Sequence, residues 1–138
     1  MTALTKSVAR DGENYKLPNY KIAADVKIYR GAMVMTNADG LLVPCGVLAG
    51  SVFAGVSRTE NDMTGEVAGS AEAQVEAIDA FEVDIAAAVQ ADIGKKVYAL
   101  DDNSVGLTLV PDTVVAGKIV EIISATKVLV KPDADQAK

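Results

Sequence analysis

Short apolar runs separated by turn residues constrain the fold of this chain more than any other feature of its sequence. Val (19) and Ile (8) together outnumber Leu (9) three to one, and β-branched side chains fit the pleated surface of a sheet. The runs number about nine and end at clusters of Gly, Pro, Asn or Asp, which favour turns. The pattern predicts a mainly β fold, a small β-sandwich or barrel-like domain with one short helix.

The predicted strands occupy residues 26–29, 32–36, 41–43, 52–57, 74–85, 96–100, 105–110, 114–123 and 127–131. The last two predict a terminal hairpin. A turn is predicted at residues 37–40, and Gly55 inside a strand indicates a bulge or a close backbone approach. Residues 86–93 are rich in Ala and precede Gly94, which predicts one or two helical turns.

The segment 74–85 gives the clearest alternation, with Asp79 as the polar exception on its apolar face. Two explanations of Asp79 stay open. It could lie at a bulge or at a subunit contact, paired with a cation such as Lys96, or it could lie in a local bend exposed to water.

The chain divides into three predicted parts: an extended N-terminal arm (1–20), a β domain (21–132) and a disordered tail (133–138). The arm follows neither helical nor strand periodicity, and Pro18 forces the residue before it towards an extended conformation. It carries the large apolar side chains Tyr15, Leu17 and Tyr20. These side chains either dock on a partner or fold back onto their own domain.

Missing residue types narrow the chemistry. With no His, no Trp and a single Cys, the chain has no His-dependent triad, no His-ligated metal site and no CxxC pair. The glycines before Lys95 and Lys118 lack the spacing of a phosphate loop, and Glu82 and Asp84 are better explained as a solvated strand face than as a glycosidase pair. We therefore expect no catalytic residues, no cofactor and no metal, with Cys45 a small buried apolar residue.

Charge is distributed unevenly along the chain. Residues 1–31 carry six cations and three anions, a balance of +3, whereas residues 32–138 carry seven cations and sixteen anions, a balance of −9. A basic leader on an acidic body indicates a tail that contacts something the body does not. The acidic body argues against nucleic acid as the main partner, and no apolar run is long enough to predict a signal peptide or a membrane span.

Several segments together resemble the phage capsid cement proteins, the small head-decoration proteins of tailed phages. The resemblance covers roughly residues 20–131 and depends on the order and spacing of its pieces: residues 28–34 (IYRGAMV), 38–40 (ADG), 43–44 (VP), 53–56 (FAGV), 81–84 (FEVD), 90–102 (QADIGKKVYALDD), 117–121 (GKIVE) and 125–128 (ATKV). One departure is Asp79-Ala80 before Phe81, where relatives tend to carry Gly.

The resemblance implies a structural protein of the virion without enzymatic activity. It would be made in the host cytoplasm and bind the outer surface of the capsid, where it would stabilise the shell by bridging subunits of the major capsid protein. It also implies a homo-oligomer, a trimer in preference to a dimer. The alternatives are a displayed β-sandwich module that binds host-surface glycans, a tail or baseplate component, and an enzyme limited to carboxylate or Ser/Lys chemistry.

The arm supplies the predicted capsid-binding residues. We expect it to add a strand to a capsid sheet edge, with apolar side chains filling shallow pockets and cations meeting capsid carboxylates. The residues predicted to bind are Lys6, Arg10, Tyr15, Lys16, Leu17, Tyr20 and Lys21.

Overall fold

A computed structural model describes residues 18–77 and 79–132 and has 47% strand and 3% helix. The mainly β fold predicted from the sequence is confirmed. The strands are β1 (Asn19–Lys21), β2 (Lys27–Ile28), β3 (Met33–Thr36), β4 (Leu42–Pro44), β5 (Val52–Ser57), β6 (Asn61–Asp62), β7 (Glu72–Glu76), β8 (Phe81–Ile85), β9 (Lys96–Ala99), β10 (Ser104–Gly106), β11 (Val114–Ser124) and β12 (Lys127–Lys131). A short 3₁₀ helix covers Gln90–Asp92.

The strands form two main units. Five of them close into a barrel in the order β10-β8-β12-β11-β9, and β8 and β10 are its parallel pair. Five others form a sheet in the order β1-β7-β5-β3-β4, which we call the rolled sheet. An isolated bridge between Ile22 and Leu42 joins its two ends, and the Ala23 N–H donates to the Leu42 carbonyl at 3.0 Å. Strands β2 and β6 form a separate two-stranded ribbon.

Each unit contains a glycine that lies in close contact with the backbone of a neighbouring strand. Gly55 lies at a register shift between β3 and β5 with φ +143°, and Gly117 lies at a register shift between β9 and β11 with φ +149°. A Cβ atom at Gly55 would collide with the carbonyl oxygen of Glu76, and one at Gly117 with that of Lys131. The bulge or close approach predicted for Gly55 is confirmed, because both are present.

Two apolar clusters form the core. The barrel cluster comprises Met33, Met35, Cys45, Phe53, Val83, Ile85, Ala88, Val97, Ala99, Val105, Val114, Ala116, Ile119, Val128 and Val130. The sheet cluster comprises Ile22, Ile28, Ala32, Val34, Leu42, Met63, Ala73 and Val75. Strand β3 belongs to both, because side chains alternate across a strand. Its Met33 and Met35 enter the barrel cluster, whereas Val34 enters the sheet cluster.

The single strand predicted over residues 74–85 is wrong. It is two strands, β7 in the rolled sheet and β8 in the barrel. Val75 therefore packs in the sheet cluster, whereas Val83 packs in the barrel cluster. Between the strands the chain bends at Asp79, which is exposed in the single chain, so the predicted local bend is present and a subunit contact at this residue stays a prediction. Apolar and polar residues continue to alternate across the change of sheet, because β7 and β8 each bury only one face.

Two further predictions need correction in length. The predicted helix over 86–93 is only the 3₁₀ helix, since the Ala88 N–H donates instead to the carbonyl of Ala125 at 2.8 Å. The predicted strand over 105–110 ends at Gly106. The terminal hairpin of β11 and β12 is confirmed. Of the predicted arm, residues 18–20 belong to the rolled sheet or lead into it, while residues 1–17 and the tail 133–138 lie outside the described residues.

Candidate functional surfaces

Strand β1 carries the two predicted capsid-binding residues that the structure describes. Tyr20 lies opposite Ala73 and is half-buried against the sheet cluster. Lys21 lies opposite Glu72 and is exposed. Tyr20 therefore contacts its own domain, which is one of the two roles that the sequence left open. The other predicted residues lie outside the described part of the chain: Lys6, Arg10, Tyr15, Lys16 and Leu17.

Among residues 18–77 and 79–132, no strand pairs with the outer side of β1. It stands at one end of the strand order and pairs with β7. The carbonyl of Pro18 accepts a hydrogen bond from the Val75 N–H at 3.1 Å, so the pairing extends back to the first described residue. The bridge to β4 begins only at Ile22. A strand at the end of a sheet presents backbone groups to which another chain can pair.

A shallow, open groove of about 210 Å³ lies where the rolled sheet meets the barrel. Its wall is held by the Met33 N–H, which donates to the Asp102 carbonyl at 2.9 Å. The Lys27 Nζ atom lies 4.9 Å from the ring centroid of the half-exposed Tyr29 at its margin. The groove offers a guanidinium, a carboxylate and one aromatic ring; it is lined by Tyr29, Arg30, Gly31, Ala32, Asp102 and Asn103.

The barrel carries a row of three lysines that sequence reasoning did not find. Lys118 on β11 lies directly opposite Lys131 on β12 and directly opposite Lys96 on β9. All three are exposed. The sequence contains no signal for this row, because the three positions are far apart in the chain and only the register of β11 against its two neighbours aligns them.

The Asp92 carboxyl and the Cys45 thiol have displaced pKa values with clear physical causes. Hydrogen bonding from the Val89 N–H, and then the Lys95 ammonium 3.0 Å away, lower the pKa of the Asp92 carboxyl. Burial in the barrel cluster raises the pKa of the Cys45 thiol well above its usual range, and Asp102 and Asp101 raise it further. Cys45 is thus a buried apolar residue, as the sequence predicts.

The described residues hold no group of three or more His, Cys, Asp or Glu side chains that could bind a metal ion. Within residues 18–77 and 79–132, no helix is long and apolar enough to cross a membrane. Comparison of the chain with protein-family models, with curated proteins and with solved structures finds no match.

Proposed function

We propose that this chain is a capsid decoration protein that binds the outside of a phage head and bridges neighbouring capsid subunits. The observation that carries the proposal is the position of β1. This strand stands at one end of the rolled sheet, and the sequence directly before it, residues 1–17, carries three cations, two carboxylates and Tyr15. The sequence predicts that this segment is extended, and an extended segment next to a sheet edge is suited to holding a neighbouring surface.

The segments that resemble cement proteins also coincide with the residues that build the framework. Residues 53–56 and 117–121 contain Gly55 and Gly117, on which neighbouring strands close. Residues 38–40 form the turn between β3 and β4, in which the side chain of Asn37 accepts hydrogen bonds from the N–H groups of Asp39 and Leu41. The resemblance thus involves positions where backbone geometry is restricted, and this supports a shared fold.

The bridging mechanism needs no chemistry. An expanded capsid is thin and holds DNA under pressure, so a clamp adds contact area that must be lost before subunits separate. Ordering a segment of this kind costs about 2–5 kcal/mol of the gross interaction energy. Linking several segments in an oligomer offsets this cost, because tethering raises avidity by about 10²–10⁴ where the geometry allows it.

Co-sedimentation with undecorated heads tests the proposal. The full chain should sediment with heads made without it. A variant lacking residues 2–17 keeps β1 and the folded body but should lose most of this binding, because it lacks the segment proposed to hold the capsid. A melting curve of each variant confirms that the body is intact. Failure of the full chain to sediment with mature heads would overturn the proposed function.

A charge variant separates the cations of the segment from its backbone pairing. Replacing Lys6, Arg10 and Lys16 with Gln should slow association with heads and reduce its dependence on salt, because rim charges act chiefly on the association rate. Lys27→Gln on β2 is the matched control and should leave both unchanged. Equal effects of the two changes would remove the segment's cations from the mechanism.

Glycan recognition is the second candidate, and the groove beside Tyr29 favours it specifically. An exposed ring beside polar side chains is suited to stacking on a sugar. The Lys27 ammonium already lies over this ring, which reduces the area left for stacking. Selective binding on a glycan array that is lost in Tyr29→Ala would support this function over decoration.

A further inference from the structure

Exposed large apolar side chains are concentrated at two places in the described part of the chain. Ten such side chains are exposed by 40% or more within residues 18–77 and 79–132, and seven of them belong to one of two groups. The other three are Tyr29, Val67 and Leu100. Single exposed apolar residues are common on protein surfaces, whereas contiguous apolar patches mark interaction sites. The two groups are therefore candidate binding faces.

The first group lies on two loops that are joined by a hydrogen bond. The Leu48 N–H donates to the Asp112 carbonyl at 2.9 Å, so the loop between β4 and β5 lies against the loop between β10 and β11. Asp112 has φ +65°, and the N–H and hydroxyl of Thr113 both donate to the Val110 carbonyl in the same turn. These bonds fix the two loops on the folded body. Their exposed side chains form the loop face, which comprises Val47, Leu48 and Leu109.

The second group lies where the 3₁₀ helix packs beside β11. The Ala88 N–H donates to the Ala125 carbonyl at 2.8 Å, and the Gly94 N–H donates to the Ile119 carbonyl at 2.8 Å. The chain around the helix therefore runs antiparallel to the last part of β11 and lies beside it. Two exposed side chains come from this segment, and two come from β11 at its register shifts against β12. Together they form the helix face, which comprises Val89, Ile93, Val120 and Ile123.

The two faces lie at opposite ends of the barrel. Residues 86–95 connect the end of β8 to the start of β9, and the turn 124–126 connects β11 to β12, so the helix face covers the end of the barrel at which β11 finishes. The loop face is joined through Asp112 to the start of β11. At about 3.3 Å per residue, Val114 and Ile123 are about 30 Å apart along this strand. A flat partner such as a capsid shell can cover one of these ends but not both.

Charge on the two faces is low, although the chain as a whole is acidic. With a net charge of −6, two copies of the chain repel each other in most orientations. The stretches that build the loop face, residues 41–57 and 103–111, contain no charged residue. The helix face adjoins the ion pair of Asp92 with Lys95 at 3.0 Å and one further acidic residue, Glu121. The loop face of one copy can therefore meet the helix face of another with little repulsion.

We propose that the loop face of one copy of this chain binds the helix face of a second copy. One kind of contact then covers both faces, which a single flat partner cannot do. Burial of the seven apolar side chains supplies the binding free energy. Head-to-tail contacts of this kind close into a ring when the rotation between copies allows it. The interface needs neither a capsid nor residues 1–17, so it goes beyond the proposed function.

Sedimentation velocity of the isolated chain tests this interface. The unchanged chain should sediment as an oligomer at micromolar concentration. The loop-face variant Val47→Glu with Leu109→Glu, and the helix-face variant Val89→Glu with Ile123→Glu, should each weaken self-association by about tenfold or more, because each places charge in the apolar contact. All four positions are exposed, and thermal melts establish that both variants are folded.

The matched control adds the same two charges elsewhere. Val67→Glu with Ala68→Glu changes an exposed loop outside both faces and should associate like the unchanged chain. A monomeric unchanged chain, or a control that weakens association as much as the two face variants, would overturn the proposal.

Mixing the two face variants is the decisive measurement. Each variant keeps one intact face, and the two intact faces complement each other, so the mixture should form heterodimers that do not grow further. Neither variant should dimerise alone. A mixture that stays monomeric would contradict the proposal. Normal association of the helix-face variant would contradict it too, because the loop face would then bind another loop face.

Two other occupants of the faces are separated by further measurements. The variant lacking residues 2–17 should self-associate like the full chain and should still respond to the loop-face and helix-face changes. If that response disappears, segment 1–17 is the occupant and the proposal is wrong. A loop-face variant that stays oligomeric but no longer sediments with heads would assign the loop face to the capsid instead. Self-association is measured without heads, so this interface and the proposed function can fail independently.

Discussion

The barrel and the rolled sheet use the same local device but close in different ways. Both contain an Ala-Gly pair at a register shift, Ala54-Gly55 in the sheet and Ala116-Gly117 in the barrel, and in both a carbonyl from a neighbouring strand takes the space of a side chain. The barrel then closes by continuous strand pairing, whereas an isolated bridge at Ile22 joins the ends of the sheet.

The difference has a consequence for function. A closed barrel leaves no strand edge, so its outer faces can interact only through side chains. In the described part of the chain, β1 pairs with a strand on one side only, so the rolled sheet can also interact through its backbone there. Accordingly, the proposed contact with the capsid begins at the rolled sheet, next to β1. Met33, Met35 and Phe53 couple the two units by packing from the sheet into the barrel cluster.

Truncating one buried isoleucine in each unit should cause the largest loss of unfolding free energy. Ile22 and Ile119 are both fully buried, so Ile22→Ala and Ile119→Ala should each cost about 2–5 kcal/mol of unfolding free energy in urea titrations. Amide exchange should distinguish them. Ile22→Ala should accelerate exchange mainly in β1 and β4, and Ile119→Ala throughout the barrel. Identical exchange patterns would show that the two units open together.

The two bulge glycines should respond alike to alanine. Gly55→Ala and Gly117→Ala each place a Cβ against a backbone carbonyl that cannot move freely, in addition to backbone strain. We expect a loss of about 2–4 kcal/mol for each in urea titrations. Gly65→Ala is the matched control, with φ +75° and open space around the added atom, and should cost about 1 kcal/mol. A cost at Gly55 no greater than at Gly65 would mean that the sheet relaxes where the barrel does not.

Cys45 reports on the contact between the two units, because it follows β4 of the sheet but packs in the barrel cluster. Its pKa is raised by burial, so folding disfavours the thiolate. Stability should be unaffected below the ordinary thiol pKa and should fall above about pH 9, by up to about 1.4 kcal/mol per pH unit. Cys45→Ala should be less stable than the unchanged chain at neutral pH, because it loses a buried side chain. This difference should shrink above about pH 9, where only the unchanged chain loses stability by thiol ionisation. A difference that stays constant from neutral to alkaline pH would argue against the raised thiol pKa.

The ion pairs of the two units should show the smallest effects. Arg58 and Glu76 in the sheet are partly exposed, and Arg58→Ala should cost at most about 1 kcal/mol. Asp92, the last residue of the 3₁₀ helix before the barrel strand β9, is nearly buried and has a lowered pKa. Its contribution is therefore present above the ordinary Asp pKa and is lost as pH falls below it. Acid titration of stability should be shallower in Asp92→Asn than in the unchanged chain.

Local patterns in the sequence determined most of the secondary structure. The strand at 52–57, the bulge at Gly55, the turn at 37–40 and the terminal hairpin all follow from β-branched runs, from glycine and from Asn. Each of these signals acts within a few residues. The predicted binding segment also came from sequence alone, as a stretch whose charge and lack of periodicity set it apart, and its role stays a prediction.

Tertiary structure alone decided which strands share a sheet. Alternation over residues 74–85 cannot show that the chain changes sheets at Asp79, because a strand that buries one face has the same pattern in either sheet. Register likewise aligned Lys96, Lys118 and Lys131, which are up to 35 residues apart in the chain. The two-residue period of a strand fixes which face of the sheet a residue occupies. Long-range strand pairing fixes which residues of other strands lie beside it, and only such neighbours together form a surface.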